Sequence, residues 1–264
     1  MLTIDEYLKP SNILNAYEIL CNKEGSMILG GGVFTKISSK HISTAIDLID
    51  TGLNYIKDTE NTIEIGAMTT FGDLERSDII NEFAQGLIRK SIKNIVGVQL
   101  RNLITVGGTI FGRYGFSELI TSLLALDTTV LLYKGGNIKL EEYLKLKNRE
   151  KDIIIKIIIN KASYKADYQM FRNSFSDFPM LAVAISKKDN NYRISVGARP
   201  SVACISYEAS LFLSSNNFSD ETIKKTIEIA TSELIFVSDR RASLEYRKEL
   251  SQVLIKRAIL EVSK

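Results

Sequence analysis

Short apolar runs and one helical repeat organise the first 57 residues. Apolar residues recur at helical spacing over residues 13–21, and Ser11 before them predicts the N-cap of a helix. Apolar runs at residues 27–29 and 45–48 predict two strands. We interpret this stretch as a compact β-α-β unit in which the strand at 27–29 leads into Gly30-Gly31-Gly32, at a strand end where such units bind ligands.

Strands and helices alternate over residues 58–160. Period-2 alternation predicts a strand at 62–67, and a run rich in β-branched residues predicts another at 153–159. The turn at 134–137 between two short strand-like runs predicts a hairpin over 128–140. Helical spacing predicts helices at 71–77, 79–91 and 117–126. A short apolar run ending at Val106 leads into Gly107-Gly108, which we predict as a second loop between a strand and a helix.

From residue 161 the pattern changes to strands followed by helices. The predicted strands lie at 164–172, 180–186 and 192–199, and the predicted helices at 207–213, 220–231 and 242–263. This order is typical of a separate α+β domain with a three-stranded antiparallel sheet. The fold class predicted for the whole chain is therefore α+β.

Glycine is concentrated in the two predicted loops. Seven of the 16 glycines lie at 30–32, 107–108, 112 and 115. Glycine permits positive φ and lets peptide N–H groups approach a ligand without a Cβ in the way. Two such loops facing each other fit the two phosphates of a dinucleotide. The alternative for each cluster is an ordinary tight turn.

Composition narrows the function classes. The chain has 264 residues, 45% of them hydrophobic and 25% charged, with a net charge of +3. We predict no membrane segment, because no apolar run approaches the roughly 18–20 residues that cross a bilayer. We predict no nucleic-acid partner, because no basic stripe with interleaved aromatic residues is present. The N-terminus lacks a secretion signal, and the location predicted is cytoplasmic.

The count of cysteine and histidine ligands excludes two kinds of metal site in this chain. Cys21 and Cys204 are the two cysteines and His41 the one histidine. These residues cannot supply four thiolates to an iron–sulfur cluster or three histidines to zinc. No arrangement resembling a catalytic triad is present, so we predict neither catalytic nor metal-binding residues. Redox work would then use an organic cofactor, with metals on another subunit.

Two familiar phosphate loops do not fit the glycines. The stretch from Gly107 resembles a P-loop in spacing, but Arg113 replaces its lysine and Tyr114 its magnesium-binding hydroxyl. Neither cluster matches Gly-x-Gly-x-x-Gly, which disfavours a Rossmann turn.

The ordered set of motifs nevertheless resembles one family, the FAD-binding medium subunit of the molybdenum hydroxylases. This family includes xanthine, nicotinate and aerobic carbon monoxide dehydrogenases. The resemblance covers nearly the whole chain, and its motifs are the glycine pair near residue 31, Ile65-Gly66-Ala67 with Thr70 and Leu74, Gln99-Leu100-Arg101-Asn102, Thr105-Val106-Gly107-Gly108, Leu124-Ala125-Leu126-Asp127, Phe175-Ser176-Asp177-Phe178-Pro179, Val196-Gly197-Ala198-Arg199-Pro200 and Asp239-Arg240-Arg241-Ala242-Ser243-x-x-Tyr246-Arg247.

The resemblance implies a fold and a cofactor. Residues 1–160 would be a two-lobed FAD-binding domain of the molybdopterin dehydrogenase, vanillyl-alcohol-oxidase-like type, with lobes 1–57 and 58–160. Residues 161–264 would be a C-terminal domain of the CO dehydrogenase flavoprotein type. The cofactor implied is FAD, with NAD⁺ a possible electron acceptor. Partners implied are a molybdopterin-binding large subunit and a [2Fe–2S] small subunit.

The resemblance also implies the cofactor-binding residues. Those of the first loop are Leu29, Gly30, Gly31, Gly32, Val33, Phe34 and Thr35, and those of the second are Thr105, Gly107, Gly108, Thr109 and Ile110. Glu118 lies where the family contacts adenosine or ribityl hydroxyls, the alternative being a carboxylate at a helix N-terminus. Asp177 lies where the C-terminal domain would approach the flavin ring, the alternative being a turn-forming aspartate. Surface ion pairs are the favoured interpretation of Arg240 and Arg241.

Two departures from the family pattern keep other functions open. The family commonly has Gly-Gly-Thr-Asp in the first loop, where this chain has Gly31-Gly32-Val33; in the second loop Thr109 replaces Asn or Ser. The first change removes side-chain donors and leaves main-chain amides, with Thr35 as the one further candidate, to bind phosphate. A non-catalytic assembly module that has lost FAD is therefore one alternative, and a stand-alone flavin oxidoreductase is another.

Overall fold

The computed structural model describes residues 1–147 and 150–264. The strands formed by these residues are β1 (Thr3–Leu8), β2 (Ser26–Leu29), β3 (His41–Asp47), β4 (Ile56–Asp58), β5 (Thr62–Gly66), β6 (Thr129–Leu132), β7 (Gly136–Lys139), β8 (Ile154–Asn160), β9 (Tyr164–Phe171), β10 (Leu181–Lys188), β11 (Asn191–Gly197) and β12 (Cys204–Ile205). The helices are α1 (Ile13–Asn22), α2 (Phe71–Arg76), α3 (Asp78–Glu82), α4 (Leu87–Ile92), α5 (Val98–Arg101), α6 (Val106–Gly112), α7 (Glu118–Ala125), α8 (Leu140–Lys145), α9 (Tyr207–Ser215), α10 (Asp220–Glu233) and α11 (Leu244–Val262).

The chain forms two compact units, each assembled from three stretches of sequence. Unit 1 contains Met1–Arg76, Gly97–Gly112 and Thr129–Ile159, and unit 2 contains Ser77–Val96, Arg113–Thr128 and Asn160–Lys264. The chain passes from unit 1 to unit 2 for the last time after Ile159, one residue before the predicted domain boundary after residue 160. The predicted bounds of the lobes and domains stay predictions.

The first sheet of unit 1 is parallel, with strand order β1-β3-β2. Its middle strand β3 buries Ile42, Ala45 and Ile46. Strand β1 escapes sequence analysis because it is an edge strand with no fully buried residue. Helix α1 begins one residue later than predicted, since the side chain of Asn12 rather than Ser11 caps it by accepting the Asn15 N–H at 2.9 Å.

The second sheet of unit 1 has strand order β4-β5-β8-β6-β7. The predicted strands at 62–67 and 153–159 are present as β5 and β8, and Ile63 and Ile157 within them are buried. The predicted loop at the second glycine cluster is wrong, because Gly107 and Gly108 lie in the first turn of α6. Thr105 precedes that turn, and its Oγ1 accepts the Gly108 N–H at 3.2 Å as an N-cap does.

Unit 2 is built on an antiparallel sheet of strand order β12-β11-β10-β9. The predicted three strands are present, and the short strand β12 adds a fourth. Helices α9, α10 and α11 cover one face, where Val183 and Ile194 pack with Ile255 in a single core. Helix α7 contacts β10 on the opposite face of the sheet, where the Ser186 hydroxyl donates to the Ala125 carbonyl. Ser186 points to this face because side chains alternate along a strand.

The long helix predicted over residues 79–91 is wrong. The chain breaks between α3 and α4 at a 3₁₀ turn, Phe83–Gly86. Ala84, Gln85 and Gly86 have φ of 48°, 55° and 71°, which no right-handed helix accommodates. No helix in the two described ranges combines the length and apolar character that a bilayer span requires.

Candidate functional site

The two glycine clusters meet inside unit 1. A Cβ built on Gly30 would lie 2.5 Å from Oγ1 of Thr105 and 3.5 Å from Cα of Gly108. Both clusters border one cleft. The expectation that the clusters face a common crevice therefore agrees with the geometry.

Apolar side chains make most of the cleft wall. The lining residues are Ile28, Leu29, Gly30, Leu48, Ala67, Met68, Thr105, Gly107, Gly108, Phe111, Asp152, Ile153 and Ile154. Five of the predicted site residues are among them: Leu29, Gly30, Thr105, Gly107 and Gly108. Thr109 and Ile110 are buried within α6, with 6% and 0% exposure.

The first cluster presents backbone donors. Gly32 has φ of +69°, and its carbonyl accepts the Lys36 N–H at 2.9 Å, which closes a turn containing Val33, Phe34 and Thr35. Among residues 1–147 and 150–264, the structure gives no hydrogen-bond acceptor for the N–H groups of Gly31, Gly32 and Val33. Consecutive unengaged amides beside a positive φ are the arrangement that binds anions in proteins.

The amides of the second cluster are already engaged within the protein. Gly107 donates its N–H to the Ala67 carbonyl at 2.8 Å, and Thr109 donates to the Thr105 carbonyl at 3.0 Å. The N–H of Gly108 is held by the Thr105 hydroxyl. A Cβ on Gly107 would lie 2.8 Å from that of Ala67. This cluster therefore contributes close backbone packing more than free donors.

Asp152 is a cleft residue that sequence analysis missed. Its carboxylate accepts the N–H groups of Lys134, Gly135 and Ile153 at 3.1, 2.8 and 2.7 Å. Such a carboxylate suits a ligand's hydroxyl or amino group and repels phosphate. The available signal was an acidic residue directly before the apolar run at 153–159.

Glu118 lies in unit 2 and is buried, with 4% exposure. Arg172 Nη2 donates to both carboxylate oxygens at 3.1 Å, and the Tyr168 hydroxyl donates to one of them at 3.0 Å. Burial raises the pKa of Glu118 to about 7, against the opposing effects of Arg172 and Tyr168.

Asp177 also lies in unit 2, in the connection between β9 and β10. Arg241 Nε donates to its carboxylate at 2.9 Å, and this bond lowers the pKa of Asp177. The Arg241 guanidinium also lies 5.2 Å from the centre of the Phe178 ring. The ion pair expected for Arg241 is confirmed, and the one expected for Arg240 is not formed within the described residues. The flavin contacts of Glu118 and Asp177 stay predictions.

Comparison with known proteins decides the family. Residues 3–161 match the FAD binding domain in molybdopterin dehydrogenase, and residues 166–262 match the CO dehydrogenase flavoprotein C-terminal domain. The chain belongs to the FAD-binding subunits of the molybdenum hydroxylases. It is thus a subunit of an FAD-dependent oxidoreductase, and the family resemblance predicted from the sequence is confirmed.

Relatives extend along most of this FAD-binding subunit. It is 25% identical over 224 residues to the glyceraldehyde dehydrogenase medium chain of Sulfolobus acidocaldarius, covering 80% of this chain and 79% of that one. It is 24% identical over 229 residues to the nicotinate dehydrogenase FAD-subunit of Eubacterium barkeri, covering 80% and 77%. Its fold matches a chain of carbon monoxide dehydrogenase from Hydrogenophaga pseudoflava with a TM-score of 0.89, at 20% identity and 98% and 97% coverage.

The residues of unit 1 fit the family's cofactor. A dinucleotide needs donors for its phosphates and an apolar slot for a ring, and here the unengaged amides of residues 31–33 directly follow Gly30, which lines an apolar cleft. The slot depends on glycine, because a Cβ on Gly30 or on Gly108 would approach Thr105 Oγ1 within 2.5 or 2.8 Å.

Groups of three or more histidine, cysteine or acidic residues able to hold a metal ion are absent from the part of the chain that the structure describes.

Proposed function

We propose that this chain is the electron-transfer flavoprotein subunit of a multi-subunit molybdenum hydroxylase. In this proposal electrons arrive from [2Fe–2S] clusters of a small subunit and leave to NAD⁺ or another acceptor. The substrate is oxidised on a large subunit that carries the molybdenum cofactor. The observation that supports this most is the single crevice bordered by both glycine clusters.

FAD, when bound, supplies the redox chemistry, accepting electrons singly and releasing two together as a hydride. The chain's own residues hold and orient it. The N–H groups of Gly31, Gly32 and Val33 would donate to the diphosphate oxygens, since they have no acceptor within the described protein. Asp152 would accept from a hydroxyl or amino group, and apolar walls that include Ile28 and Ile154 would exclude water from the slot.

The partner subunits are proposed from chemistry. Two cysteines and one histidine cannot hold iron–sulfur clusters, so the metal centres of such a complex would lie on other chains. The printed names of the relatives, a medium chain and an FAD-subunit, describe parts of larger enzymes. A cytoplasmic location is proposed because Cys21 and Cys204 are not joined in a disulfide.

Flavin titration tests the proposal directly. Purified protein should bind FAD stoichiometrically, with flavin absorbance that survives gel filtration, and should not oxidise an organic substrate by itself. Adding the two partner subunits should let that substrate reduce the bound flavin. Turnover of a reductant without partners would instead identify a stand-alone flavin oxidoreductase.

The altered first loop supports one second candidate, an assembly module without FAD. Val33 offers no side-chain donor to a phosphate. Protein that assembles with its partners but stays colourless after incubation with FAD would establish that function and overturn the proposed one.

A further inference from the structure

The segment that carries the second glycine cluster is an insertion in the sequence of unit 2. The chain leaves unit 2 after Val96, contributes Gly97–Gly112 to unit 1, and returns at Arg113. The residues that flank this excursion, among them Asn94 and Glu118, lie in unit 2. What fixes these ends constrains where the excursion starts and finishes.

One buried guanidinium, that of Arg172, contacts both flanking stretches. Arg172 Nη1 donates to the Asn94 carbonyl at 3.1 Å, three residues before the excursion begins. Its Nη2 donates to both oxygens of Glu118, the first residue of α7 and six residues beyond Gly112. The side chains of Arg172 and Glu118 are only 8% and 5% exposed.

The donors of Arg172 are fully committed. Nη1 also donates to the Phe175 carbonyl at 3.3 Å, and Nε lies 3.3 Å from the Met170 sulfur. Lysine cannot replace this set, because an ammonium lacks the planar fork that spans a carbonyl and a carboxylate together. A buried charge deprived of its partner is also costly. We call the Arg172–Glu118 pair the clasp, and a single conservative substitution such as Arg172→Lys should break it.

We propose that Arg172, held in place by Glu118, is a positioning residue for the FAD site: it fixes both ends of residues 97–112 and so the seating of the second glycine cluster against the first. The inference rests on the proposed FAD-binding function. It gives Glu118 an indirect role, acting through Arg172 rather than touching the cofactor. Loosening the ends of a segment raises the entropy that ligand binding must remove.

Independent anchors make the proposal falsifiable. The returning chain is also held by the Ala198 N–H, which donates to the Gly115 carbonyl at 3.0 Å. A Cβ on Gly115 would lie 3.2 Å from the backbone of Pro200, so this approach is close. If these contacts suffice, the clasp is redundant.

The experiment compares Arg172→Lys and Glu118→Gln with two matched controls in the full chain. Tyr168→Phe removes one hydrogen bond to Glu118 and leaves the donors of Arg172 in place. Lys90→Gln breaks a neighbouring ion pair from α4 to Asp167 of β9, 3.1 Å long, that touches neither end of the excursion. Near-UV circular dichroism establishes folding, deuterium exchange reports local opening, and fluorescence quenching gives the Kd for FAD.

We expect Arg172→Lys to raise exchange in residues 94–112 and to weaken FAD binding about tenfold, within the usual range of site-to-site coupling. Glu118→Gln should act in the same direction, and the double variant should be no worse than Arg172→Lys, because the pair works as one unit. Both controls should leave exchange in residues 94–112 at the wild-type level. An exchange increase spread evenly over both units would show general destabilisation and overturn the proposal.

Other outcomes separate the possible failures. Folded Arg172→Lys with wild-type exchange in residues 97–112 would overturn the clasp. Weaker FAD binding in Glu118→Gln alone would show direct contact with the cofactor and also overturn it. Should Arg172→Lys fail to fold, the exchange of Glu118→Gln decides. Should the wild type not bind FAD, the proposed function fails, while the exchange measurements still test the clasp.

Discussion

The two glycine clusters look alike in sequence and serve different physical ends. At the first cluster the N–H groups of Gly31 and Gly32 are unengaged within the described protein, and Gly32 has a left-handed φ of +69°. At the second, Gly107 and Gly108 lie in a helix and donate to groups of the protein itself. The comparison teaches that glycine can expose donors or can simply let two backbones touch.

The largest effect is expected at Gly31, where the first cluster packs on the chain before the second. A Cβ on Gly31 would lie 1.4 Å from the Leu103 carbonyl oxygen. Gly31→Ala should cost about 3 kcal/mol of unfolding free energy or more, the upper end of overpacking. Gly32→Ala is the control, because its Cβ meets nothing within 4 Å. It should cost only about 1 kcal/mol, from the left-handed φ. If urea unfolding showed the same loss of unfolding free energy in both variants, the close contact of Gly31 with the Leu103 carbonyl would be contradicted.

Gly30 tests whether the two clusters share the cofactor. Its added Cβ would lie 2.5 Å from Thr105 Oγ1. Gly30→Ala should raise the Kd for FAD about tenfold, equivalent to about 1.4 kcal/mol. Removing the hydroxyl in Gly30→Ala/Thr105→Ala should recover part of that loss by fluorescence titration. A double variant that binds no better than Gly30→Ala would mean that the crevice is not the binding site.

Glu118 provides a pH test for the flank of the second cluster. Its pKa in the folded chain, about 7, lies above the ordinary value of 4.5. Between these values the folded state binds more protons than the unfolded state, so stability from Glu118 is lost as pH rises from about 4.5 to about 7. The free energy of unfolding of the wild type, measured in urea, minus that of Glu118→Gln should therefore fall between pH 5 and pH 8. A rise would mean that attraction to Arg172 outweighs the burial of the charge.

The smallest effect concerns the departure of the first loop from its family. Val33→Thr adds a hydroxyl beside the unengaged amides, and one added hydrogen bond is worth about 1 kcal/mol. The Kd for FAD should fall about threefold to fivefold, with Phe34→Tyr as a control for a hydroxyl elsewhere in the same turn. An unchanged Kd would indicate that phosphate contacts rest on the backbone alone.

Sequence periodicity predicts the regular parts of this fold well. The hairpin of β6 and β7, and helix α7 with all eight residues buried, follow from alternation and helical spacing. Periodicity cannot find an edge strand with no buried residue such as β1. It also cannot foresee positive φ at Ala84 and Gln85, which tertiary contacts impose on residues with ordinary helical preferences.

The candidate site divides in the same way. Glycine clustering identifies Gly30 and Gly107 because the chemistry is local to the sequence. Asp152 reaches the cleft only through the pairing of distant strands, and its one sequence signal is its position directly before the apolar run at 153–159. Glu118 shows the opposite case, a position assigned by family pattern whose carboxylate is surrounded by protein donors.

The interleaved chain path also governs synthesis and engineering. The polypeptide crosses between units after residues 76, 96, 112, 128 and 159. Unit 1 therefore cannot finish folding until residues 129–159 have been synthesised. By then the early segments of unit 2 have been made, but the strands β9 to β11 have not. Cutting the gene near residue 160 would leave the N-terminal half holding residues 77–96 and 113–128 without the sheet they pack on. Deletion studies of this protein should accordingly yield insoluble fragments where single substitutions yield folded variants.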